Sequence, residues 1–563
     1  MPERIFIGVA WPYANGSLHL GHLAGCYLPA DIFARYHRLK GNQVLMVSGS
    51  DQHGTPITLR AEQEGVEPQE VVNRYHQEFL RCWEQMGIQF DLFTTTGTEN
   101  HRRVVHDIFL RLQEQGAIYS DTVSQFYCPH CHRFLADRYV EGTCPHCGNP
   151  SARGDQCDLC GKPLNPEDLL SPRCRICGTV PETRETEHLF LKLRAFQERL
   201  LAWLKEKEFW RPSVLNFTQR FIQDGLRDRA ITRDITWGVP VPLPGYETKR
   251  IYVWFEAVIG YLSAAQEWAQ RQGDPDGWRE FWEGGNGSSK SYYFIGKDNI
   301  PFHTIIWPAM LMGCGGLNLP YDVPANEFLT LEGRQLSTSH NWAVWLPDYL
   351  RRYEPDPLRY HLAATMPETG DSNFSWSEHV HRNNDELVAT FGNLVHRVLT
   401  FTYRHFAGRI PEPGEVDEAG RRLLAIAEEK LQEVDRNLST CRFRMALASA
   451  MGLAQEANRY IDAMAPWKAL AENRPGVATS LWVTLSVINC LKTALSPFLP
   501  FSCERLHRML GFAGSVEHQG WSWADTPEAL PPHQPLQEPV PLFKKLDEAV
   551  VTEETQRLHT AIR

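Results

Sequence analysis

The sequence feature that most constrains the fold is a set of four Cys-x-x-Cys pairs between residues 128 and 177. The pairs, separated by 12, 9 and 13 residues, are Cys128/Cys131, Cys144/Cys147, Cys157/Cys160 and Cys174/Cys177. A Cys-x-x-Cys turn directs two thiolates at one tetrahedral Zn²⁺, and two such turns complete a four-thiolate site. The pattern therefore predicts two zinc ions. Both should be structural, because four thiolates leave no open coordination position. Spacing alone leaves open which pairs share an ion.

Length and charge narrow the class of protein. At about 150 residues per domain, a chain of 563 residues predicts three or four domains and excludes a single small binding module. The net charge of −11 argues against a uniformly basic nucleic-acid-binding surface. Because the sequence shows neither a secretory signal nor a membrane span, we expect a cytoplasmic protein, where disulfides are rare and clustered cysteines indicate metal binding. The sequence ends at Arg563, directly after a predicted terminal helix, and this favours a monomer.

The most apolar stretches do not predict a membrane anchor. Residues 481–500 form the longest apolar region, but polar side chains interrupt it, and we expect no membrane-spanning segment. The run Ile5–Ala10 is too short for a secretory signal. It predicts a buried first strand instead.

The order of strand-like and helical patterns predicts a split α/β domain. The two patterns alternate from Ile5 to about Gln115, which is typical of a parallel sheet. The cysteine region interrupts them, and strand-like runs resume at residues 251–255, 292–296 and 327–331. Beyond about Asn383 the pattern becomes helical. The later predicted elements are helices at 421–436 and 443–460, an extended linker at 522–543, and a terminal helix at 544–563.

A histidine pair follows the first predicted strand, in the segment His19-Leu20-Gly21-His22. Imidazoles three residues apart at the start of a helix lie on one face, where they can bind a phosphate that also meets the helix N-terminus. Gly21 permits the close approach of a nucleotide. Taken alone, the motif is equally compatible with a structural histidine pair.

The same motif resembles the HIGH signature of class I aminoacyl-tRNA synthetases, and its surroundings are similar to the methionyl branch of that class. Further motifs resemble this branch in the same order along nearly the whole chain. They are Ser50–Pro56, the cysteine pairs, Tyr252–Ala257, Gly296–Asp298, and Phe302-His303 leading to Trp307–Leu311.

The resemblance implies a Rossmann-type α/β catalytic domain, split by a zinc-knuckle insertion and followed by an α-helical anticodon-binding bundle. It places the two halves of the catalytic domain at residues 1–115 and 231–330, around a connective insertion at 116–230. A stem-contact region is expected at 331–382 and the anticodon-binding domain at 383–520. The linker and C-terminal helix occupy 521–563.

The resemblance also implies a two-step reaction. Methionine attacks the α-phosphate of ATP, which is supplied with Mg²⁺, and the methionyl group of the resulting adenylate then passes to the 3′ end of tRNA(Met). Such chemistry needs positioning and charge stabilisation more than a protein nucleophile. The implied catalytic residues are His19 and His22 on the phosphates, Lys297 and Asp298 near the nucleotide, and Arg233 at the mouth of the site.

For the amino acid, the resemblance assigns Asp51 to the ammonium group of methionine. A carboxylate pairs there with a charge that every amino acid carries, so selectivity must come from a side-chain pocket. Aromatic walls suit a thioether, because sulfur–ring contacts contribute ~0.3 to 1.5 kcal/mol each. The implied pocket residues are Tyr13, Trp254, Ala257, Tyr261 and His303.

One motif departs from the family. The lysine-containing KMSKS signature of the class corresponds here to Gln335, Leu336, Ser337, Thr338 and Ser339. Gln335 and Thr338 stand in place of both lysines, and the loss of one preorganised donor to a developing charge costs ~10² to 10³ in rate. Two functions therefore stay open. One is an active methionine–tRNA ligase with an altered loop, and the other is a synthetase-derived protein that binds tRNA or an adenylate with little activation.

The helical region resembles the anticodon-reading part of the family at three positions. Asn393 and Arg397 lie four residues apart, which places them on one helix face, where they can hydrogen-bond base edges. Trp467 offers a plane on which an unstacked base contributes ~1 to 3 kcal/mol. The three residues together predict recognition of a CAU anticodon, and they argue against an adenylating enzyme that never meets tRNA.

Overall fold

The computed structural model describes residues 2–154, 157, 159–160, 164, 166–284, 289–338, 340–521, 523 and 529–561. Its centre is a five-stranded parallel sheet, called here the catalytic sheet. In spatial order its strands are Ala325–Asn326, Lys290–Gly296, Arg4–Val9, Gln43–Ser50 and Leu92–Thr95. The central strand is buried from Ile5 to Val9, as its continuous apolar run predicts.

The catalytic sheet confirms the prediction of a split α/β domain. Three of its strands precede the cysteine region and two follow it, so the intervening residues form an insertion. Helices cover the sheet, because a parallel sheet needs both faces buried. The main ones are Leu28–Leu39, Thr55–Glu64, Pro68–Met86, Glu99–Glu114, Gly260–Arg271 and Trp307–Cys314.

Two of the predicted strands are wrong in part. Only Arg250–Ile251 of the run 251–255 lies in a strand, and Val253–Glu256 forms a helical turn. A short apolar run does not distinguish a buried strand from a buried helix. In the run 327–331, Leu329–Leu331 is a strand of a separate three-stranded sheet, with Arg334–Gln335 and Ser372–Phe374 as its other members.

The insertion carries the cysteines on a long antiparallel arm made of Ile118–Cys128 and Glu182–Leu191. Beyond the arm lies a small sheet of Val140–Thr143, Ala152–Arg153 and Leu170–Cys174. We call residues 128–177 the knuckle module. It packs against helix Thr55–Glu64, where the hydroxyl of Tyr139 donates to Oγ1 of Thr58 at 2.8 Å. The insertion is therefore attached to the catalytic domain next to the end of strand Gln43–Ser50.

The C-terminal third is helical, and the predicted helices at 421–436 and 443–460 lie within Glu418–Ser439 and Phe443–Met464. The other helices here are Asn393–His405, Pro466–Ala469, Arg474–Leu495, Pro500–Met509 and Ala549–Ala561, and a π-helical segment, Arg382–Gly392, precedes them. One helix, Arg474–Leu495, is long and apolar enough to cross a membrane. Its polar residues therefore do not exclude a membrane span by composition, contrary to our expectation. The apolar window of the helix is entirely buried, however, as in the core helix of a bundle.

The terminal helix begins at Ala549 rather than at Lys544 as predicted. The preceding backbone is engaged by two asparagine side chains. Nδ2 of Asn383 donates to the carbonyl of Lys544, and Nδ2 of Asn384 donates to that of Leu546, both at 2.9 Å. Within the predicted linker, residues 523 and 529–543 are described, and Leu530 and Leu536 in this segment are buried against the bundle.

Candidate active site

The candidate site lies at the carboxyl ends of the central strands of the catalytic sheet. Strand Arg4–Val9 leads to Tyr13, and strand Gln43–Ser50 leads to Asp51. The two segments pair, since the amide of Asp51 donates to the carbonyl of Pro12 at 2.8 Å and the amide of Ala14 donates to that of Asp51 at 2.9 Å. Ligands of open parallel sheets bind at this edge.

The two histidines of the His19-Leu20-Gly21-His22 motif stack on each other, with ring centroids 3.9 Å apart. Nδ1 of His19 accepts from the amide of Gly21 at 3.1 Å, and Nδ1 of His22 accepts from the amide of His19 at 3.2 Å. Each neutral ring therefore carries its proton on Nε2. Burial and the neighbouring His22 hold the pKa of His19 well below its usual value, and burial lowers that of His22 to about 4. Both imidazoles can donate one hydrogen bond without bearing charge.

Asp51 is buried at the base of this cleft, and its Oδ1 accepts from the amide of His53 at 3.2 Å. Burial and the nearby carboxylate of Glu256 raise the pKa of Asp51 well above its usual value, and the His53 amide opposes this only in part. A cation placed against Asp51 would restore its ionised form. The site is therefore suited to an ammonium group.

The predicted pocket residues make contacts in two groups. Tyr13, which pairs with Asp51, packs against Trp254, and Tyr261 contacts His303. The hydroxyl of Tyr261 donates to Nε2 of His303 at 2.7 Å, and Nδ1 of His303 donates to the carbonyl of Asn299 at 2.9 Å. Burial lowers the pKa of His303 to about 4, so its ring is neutral. The indole of Trp254 packs edge-on against Tyr13 at 6.4 Å, and Ala257 follows one turn after the start of the same helical segment. None of the five predicted side chains carries a charge, and four of them are aromatic.

The predicted catalytic residues outside the histidine motif lie in two places. Arg233 lines the cleft together with Tyr13 and Trp254, and its guanidinium lies 3.7 Å from the ring centroid of Tyr252. Lys297 is held by two carboxylates, those of Glu327 and Asp371, each at 2.9 Å. Burial is the main cause that raises the pKa of the neighbouring Asp298.

The loop that corresponds to KMSKS packs directly on the histidine motif. A Cβ placed on Gly21 would lie 2.8 Å from Cδ1 of Leu336, and the ring of Trp345 lies 6.0 Å from that of His19. Within the loop, Oγ of Ser337 and Nδ1 of His340 are 2.9 Å apart. Gln335 and Thr338 are exposed, and Ser339 lies outside the described residues. The loop is therefore next to the imidazoles, but its exposed tip carries no lysine.

A buried carboxylate beside Asp51 was not predicted from the sequence. The side chain of Glu256 is fully buried, and each of its oxygens contacts an imidazole, Oε1 that of His53 at 2.8 Å and Oε2 that of His101. The signal that could have found it is a glutamate within the apolar run 251–257, because a buried carboxylate requires partners.

The eight cysteines form two clusters that could hold metal ions. One cluster contains Cys128, Cys131, Cys174 and Cys177, and the other contains Cys144, Cys147, Cys157 and Cys160. The first and last pairs therefore meet, as do the two inner pairs. The closest Sγ–Sγ distances between partner pairs are 3.5 and 3.9 Å in the first cluster and 3.6 and 3.9 Å in the second. A tetrahedral ion with sulfur ligands at ~2.3 Å needs sulfur atoms ~3.8 Å apart, so both clusters fit.

The three predicted anticodon residues also come together. Asn393 and Arg397 line one surface pocket, and the guanidinium of Arg397 lies 5.0 Å from the ring centroid of Trp467, whose exposed fraction is 40%. Arg397 also bonds to Oδ1 of Asp462 at 2.7 Å and to Asn458. The result is a polar pocket with one exposed aromatic plane at its edge.

The parallel sheet, the histidine motif at the start of a helical segment, the cysteine insertion and the helical C-terminal third have the arrangement of class I tRNA synthetases. A family model described as tRNA synthetases class I (M) matches residues 5–399. A second model, the anticodon binding domain of methionyl tRNA ligase, matches residues 410–562.

Relatives identify the branch within this class. A methionine–tRNA ligase of Dehalococcoides mccartyi is 59% identical over 558 residues, which cover 99% of this chain and 100% of the relative. One of Thermomicrobium roseum is 54% identical and covers 99% of both chains. The structure of Mycobacterium tuberculosis methionyl-tRNA synthetase in complex with methionyl-adenylate matches with a TM-score of 0.78 at 26% identity, over 96% of this chain and 100% of that one. The chain belongs to the methionyl-tRNA synthetase family.

Proposed function

We propose that this protein is a methionine–tRNA ligase that activates methionine with ATP and transfers it to the 3′ end of tRNA(Met). The observation that carries the proposal is the cleft at the carboxyl ends of the sheet strands. There the segment of Tyr13 pairs with that of the buried Asp51, Tyr13 packs against Trp254, and the same segment leads to the two donor imidazoles. Curated methionine–tRNA ligases that match the chain over its full length support the same function.

In the first step, a carboxylate oxygen of methionine attacks the α-phosphorus of ATP, and pyrophosphate leaves. Asp51 holds the ammonium group, while the pocket of Tyr13, Trp254 and Tyr261 takes the thioether. The Nε2–H groups of His19 and His22 donate to phosphate oxygens, and their neutrality keeps them as donors without a competing proton equilibrium near pH 7. In the second step, a terminal ribose hydroxyl of tRNA attacks the acyl carbon, and AMP leaves.

We assign Zn²⁺ to both cysteine clusters. Sites made of four thiolates favour zinc, and their closed coordination supports a structural role in holding the knuckle module together. Cysteines must stay reduced to bind metal, and the cytoplasm keeps thiols reduced. This assignment therefore also supports our proposal of a cytoplasmic location. That the protein acts as a monomer stays a prediction from the sequence.

The altered loop is the observation that favours the second candidate function, a binding protein with little activation. Exchange of pyrophosphate into ATP in the presence of methionine distinguishes the two. We expect exchange, and we expect Thr338→Lys to increase its rate by up to ~10²-fold, because a lysine adds a donor to the leaving pyrophosphate. Thr440→Lys, at another exposed threonine far along the chain, is the control. No exchange at high enzyme concentration would leave only the binding protein.

We further propose that Asn393, Arg397 and Trp467 read the CAU anticodon. Trp467→Ala should weaken tRNA(Met) binding by about tenfold or more, because one base–aromatic stack contributes ~1 to 3 kcal/mol. Filter binding with tRNA(Met) and with a transcript altered only in its anticodon measures the effect. Unchanged affinity for tRNA(Met) would exclude the assignment, while methionine activation without tRNA should not change.

A further inference from the structure

The cluster around Glu256 joins three segments of the catalytic domain through one carboxylate. Glu256 ends the helical turn Val253–Glu256, His53 follows strand Gln43–Ser50, and His101 lies in helix Glu99–Glu114. The Glu256 side chain is fully buried, and that of His101 is 1% exposed. None of these three side chains is needed by the chemistry described above, yet burying an ionisable cluster of this size is costly unless its members satisfy one another.

Hydrogen bonds also connect the cluster to helix Gly260–Arg271, which follows Glu256. Oγ of Ser263 lies 3.0 Å from the carbonyl oxygen of Gly260 and 2.8 Å from Nδ1 of His101. Nε2 of His101 faces Oε2 of Glu256. The His101 ring therefore bridges Ser263 and Glu256 through its two nitrogens.

Glu256 is held in its ionised form. Burial alone would raise its pKa, but the imidazoles of His53 and His101 outweigh burial and lower that pKa to about 2. The ionised carboxylate can accept from both rings at once, and it holds the His53 ring by its Nδ1 proton.

His53 connects the cluster to Asp51. Its ring is bound to Glu256, and its backbone amide donates to Oδ1 of Asp51 at 3.2 Å. The residue between them is also fixed, because the amide of Gln52 donates to Thr96 at 2.9 Å and its carbonyl accepts from Trp237 at 2.6 Å. The orientation of the Asp51 carboxylate thus depends on where the His53 ring is held.

We propose that Glu256 is a positioning residue for recognition of the substrate ammonium group, acting through His53 on Asp51. It fixes the segment that presents Asp51, and because both of its own oxygens are engaged by His53 and His101, Asp51 is the carboxylate that a cation meets. The inference rests on the proposed function, since it takes methionine as the ligand of Asp51.

The test compares two ligands that differ at one group. Methionine carries the ammonium group, while its 2-hydroxy analogue carries a hydroxyl there. With Glu256→Gln, we expect the Kd of methionine to rise by about tenfold or more, as for loss of a well-placed charged hydrogen bond, and that of the hydroxy analogue by less than about threefold. Titration of intrinsic tryptophan fluorescence measures both constants. Glu256→Asp keeps the charge and should restore part of the discrimination between the two ligands.

Two further variants make the result decisive. Glu267→Gln is the matched control, because Glu267 is also a buried glutamate, held instead by Thr94 and Arg271, and it should leave both constants unchanged. His53→Ala removes the ring but keeps the backbone amide, and it should reproduce the loss of discrimination if Glu256→Gln does not fold.

The outcomes separate the inference from the function on which it rests. If Glu256→Gln lowered the affinity for both ligands equally, the role of Glu256 would be merely structural and the inference would be overturned. Unchanged methionine affinity in a folded variant would also overturn it. In either case the wild-type protein would still bind methionine and support pyrophosphate exchange. If the wild-type protein did neither, the proposed function itself would fail, and the inference with it.

Discussion

At the residue scale, backbone amides set the imidazoles of His19 and His22 to donate a hydrogen bond from Nε2 while both rings stay uncharged. Each Nδ1 accepts from an amide of the motif itself, which fixes the tautomer and points the Nε2 proton away from the helix start. This arrangement depends on Gly21, because the His19 ring and the Leu336 side chain approach its Cα closely. The glycine is thus required for packing and not for an unusual backbone conformation.

Gly21→Ala should therefore impair ATP use while sparing methionine binding. The new Cβ would lie 2.8 Å from Leu336 and 2.9 Å from the His19 ring, so the imidazole must move. We expect pyrophosphate exchange to slow by about 10²-fold, comparable with loss of one preorganised donor. Gly25→Ala, one turn later with no atom within 4 Å of its new Cβ, is the control. Equal rates for the two variants would contradict this account of the motif.

At the element scale, the knuckle module shows how four local turns become two sites. Antiparallel pairing of Ile118–Cys128 with Glu182–Leu191 brings the first and last cysteine pairs together at the end of the arm. The two inner pairs then close on each other within the enclosed segment. The nested order follows from the arm. Two antiparallel strands place the end of the first beside the start of the second, so the outermost cysteine pairs come into contact.

The nested order predicts how losses of metal combine. Cys131→Ser and Cys177→Ser affect the same site, so each variant and the double variant should retain about one zinc per chain. Cys131→Ser combined with Cys147→Ser affects both sites and should retain none. Metal content by atomic emission after gel filtration measures this, with Cys314→Ser as a control outside both clusters. A sequential pairing of neighbouring turns would instead make the Cys131/Cys177 double variant metal-free.

At the scale of the whole molecule, a buried ion network joins the catalytic domain to the helical third. Arg359 donates to Asp31 at 2.6 Å and also to the carbonyls of Met86, Pro497 and Phe498. The side chains of Arg359 and Asp31 are both fully buried. Arg359 thus satisfies groups from three separate segments. Ion pairs of Arg35 with Glu517 and of Lys40 with Asp435 cross the same junction.

Arg359→Met should lower the free energy of unfolding by ~3 to 5 kcal/mol, since it leaves a buried carboxylate and several carbonyls without this donor. The midpoint of urea unfolding measures the loss. Arg351→Met is the control, because Arg351 is exposed and its ion pair with Asp348 should contribute little. Similar midpoints for the two variants would show that the junction does not depend on Arg359.

Acid should also destabilise the whole molecule through its buried histidines. Burial lowers the pKa of His303 to about 4, and of His37 and His379 to about 3, against 6.5 in the unfolded chain. The unfolded state binds these protons first, so stability is complete above pH 6.5 and falls as the pH drops toward 4. At pH 5, each of these three histidines should lower the free energy of unfolding by on the order of 1–2 kcal/mol relative to pH 7. Burial raises the pKa of Asp322 to about 6, which opposes the effect at one site.

Urea midpoints at pH 7 and pH 5 measure this dependence. His379→Gln, at a ring bonded to Tyr349 and His361, should reduce the difference between the two midpoints. A midpoint that did not change between the two pH values would contradict neutral burial of these rings.

Particular residues show which parts could be predicted. The strand Arg4–Val9, the helices within 418–439 and 443–464, and the position of the histidine motif at a helix start follow from local periodicity and short spacings. The helical turn at Val253–Glu256 and the late start of the terminal helix at Ala549 do not. Those two were decided by burial and by asparagine side chains that lie more than 150 residues away in the sequence.

The sequence by itself determined the class of fold, the split of the sheet, the eight cysteines of the two clusters and the family, because each is written in neighbouring residues or in the order of motifs. Only the tertiary structure decided which thiols meet in each cluster, that Lys297 is held by Glu327 and Asp371, and that Glu256 meets His53 and His101 near Asp51. The physical reason is that spacing restricts geometry over a few residues, while these contacts join residues brought together by packing of the sheet and its helices.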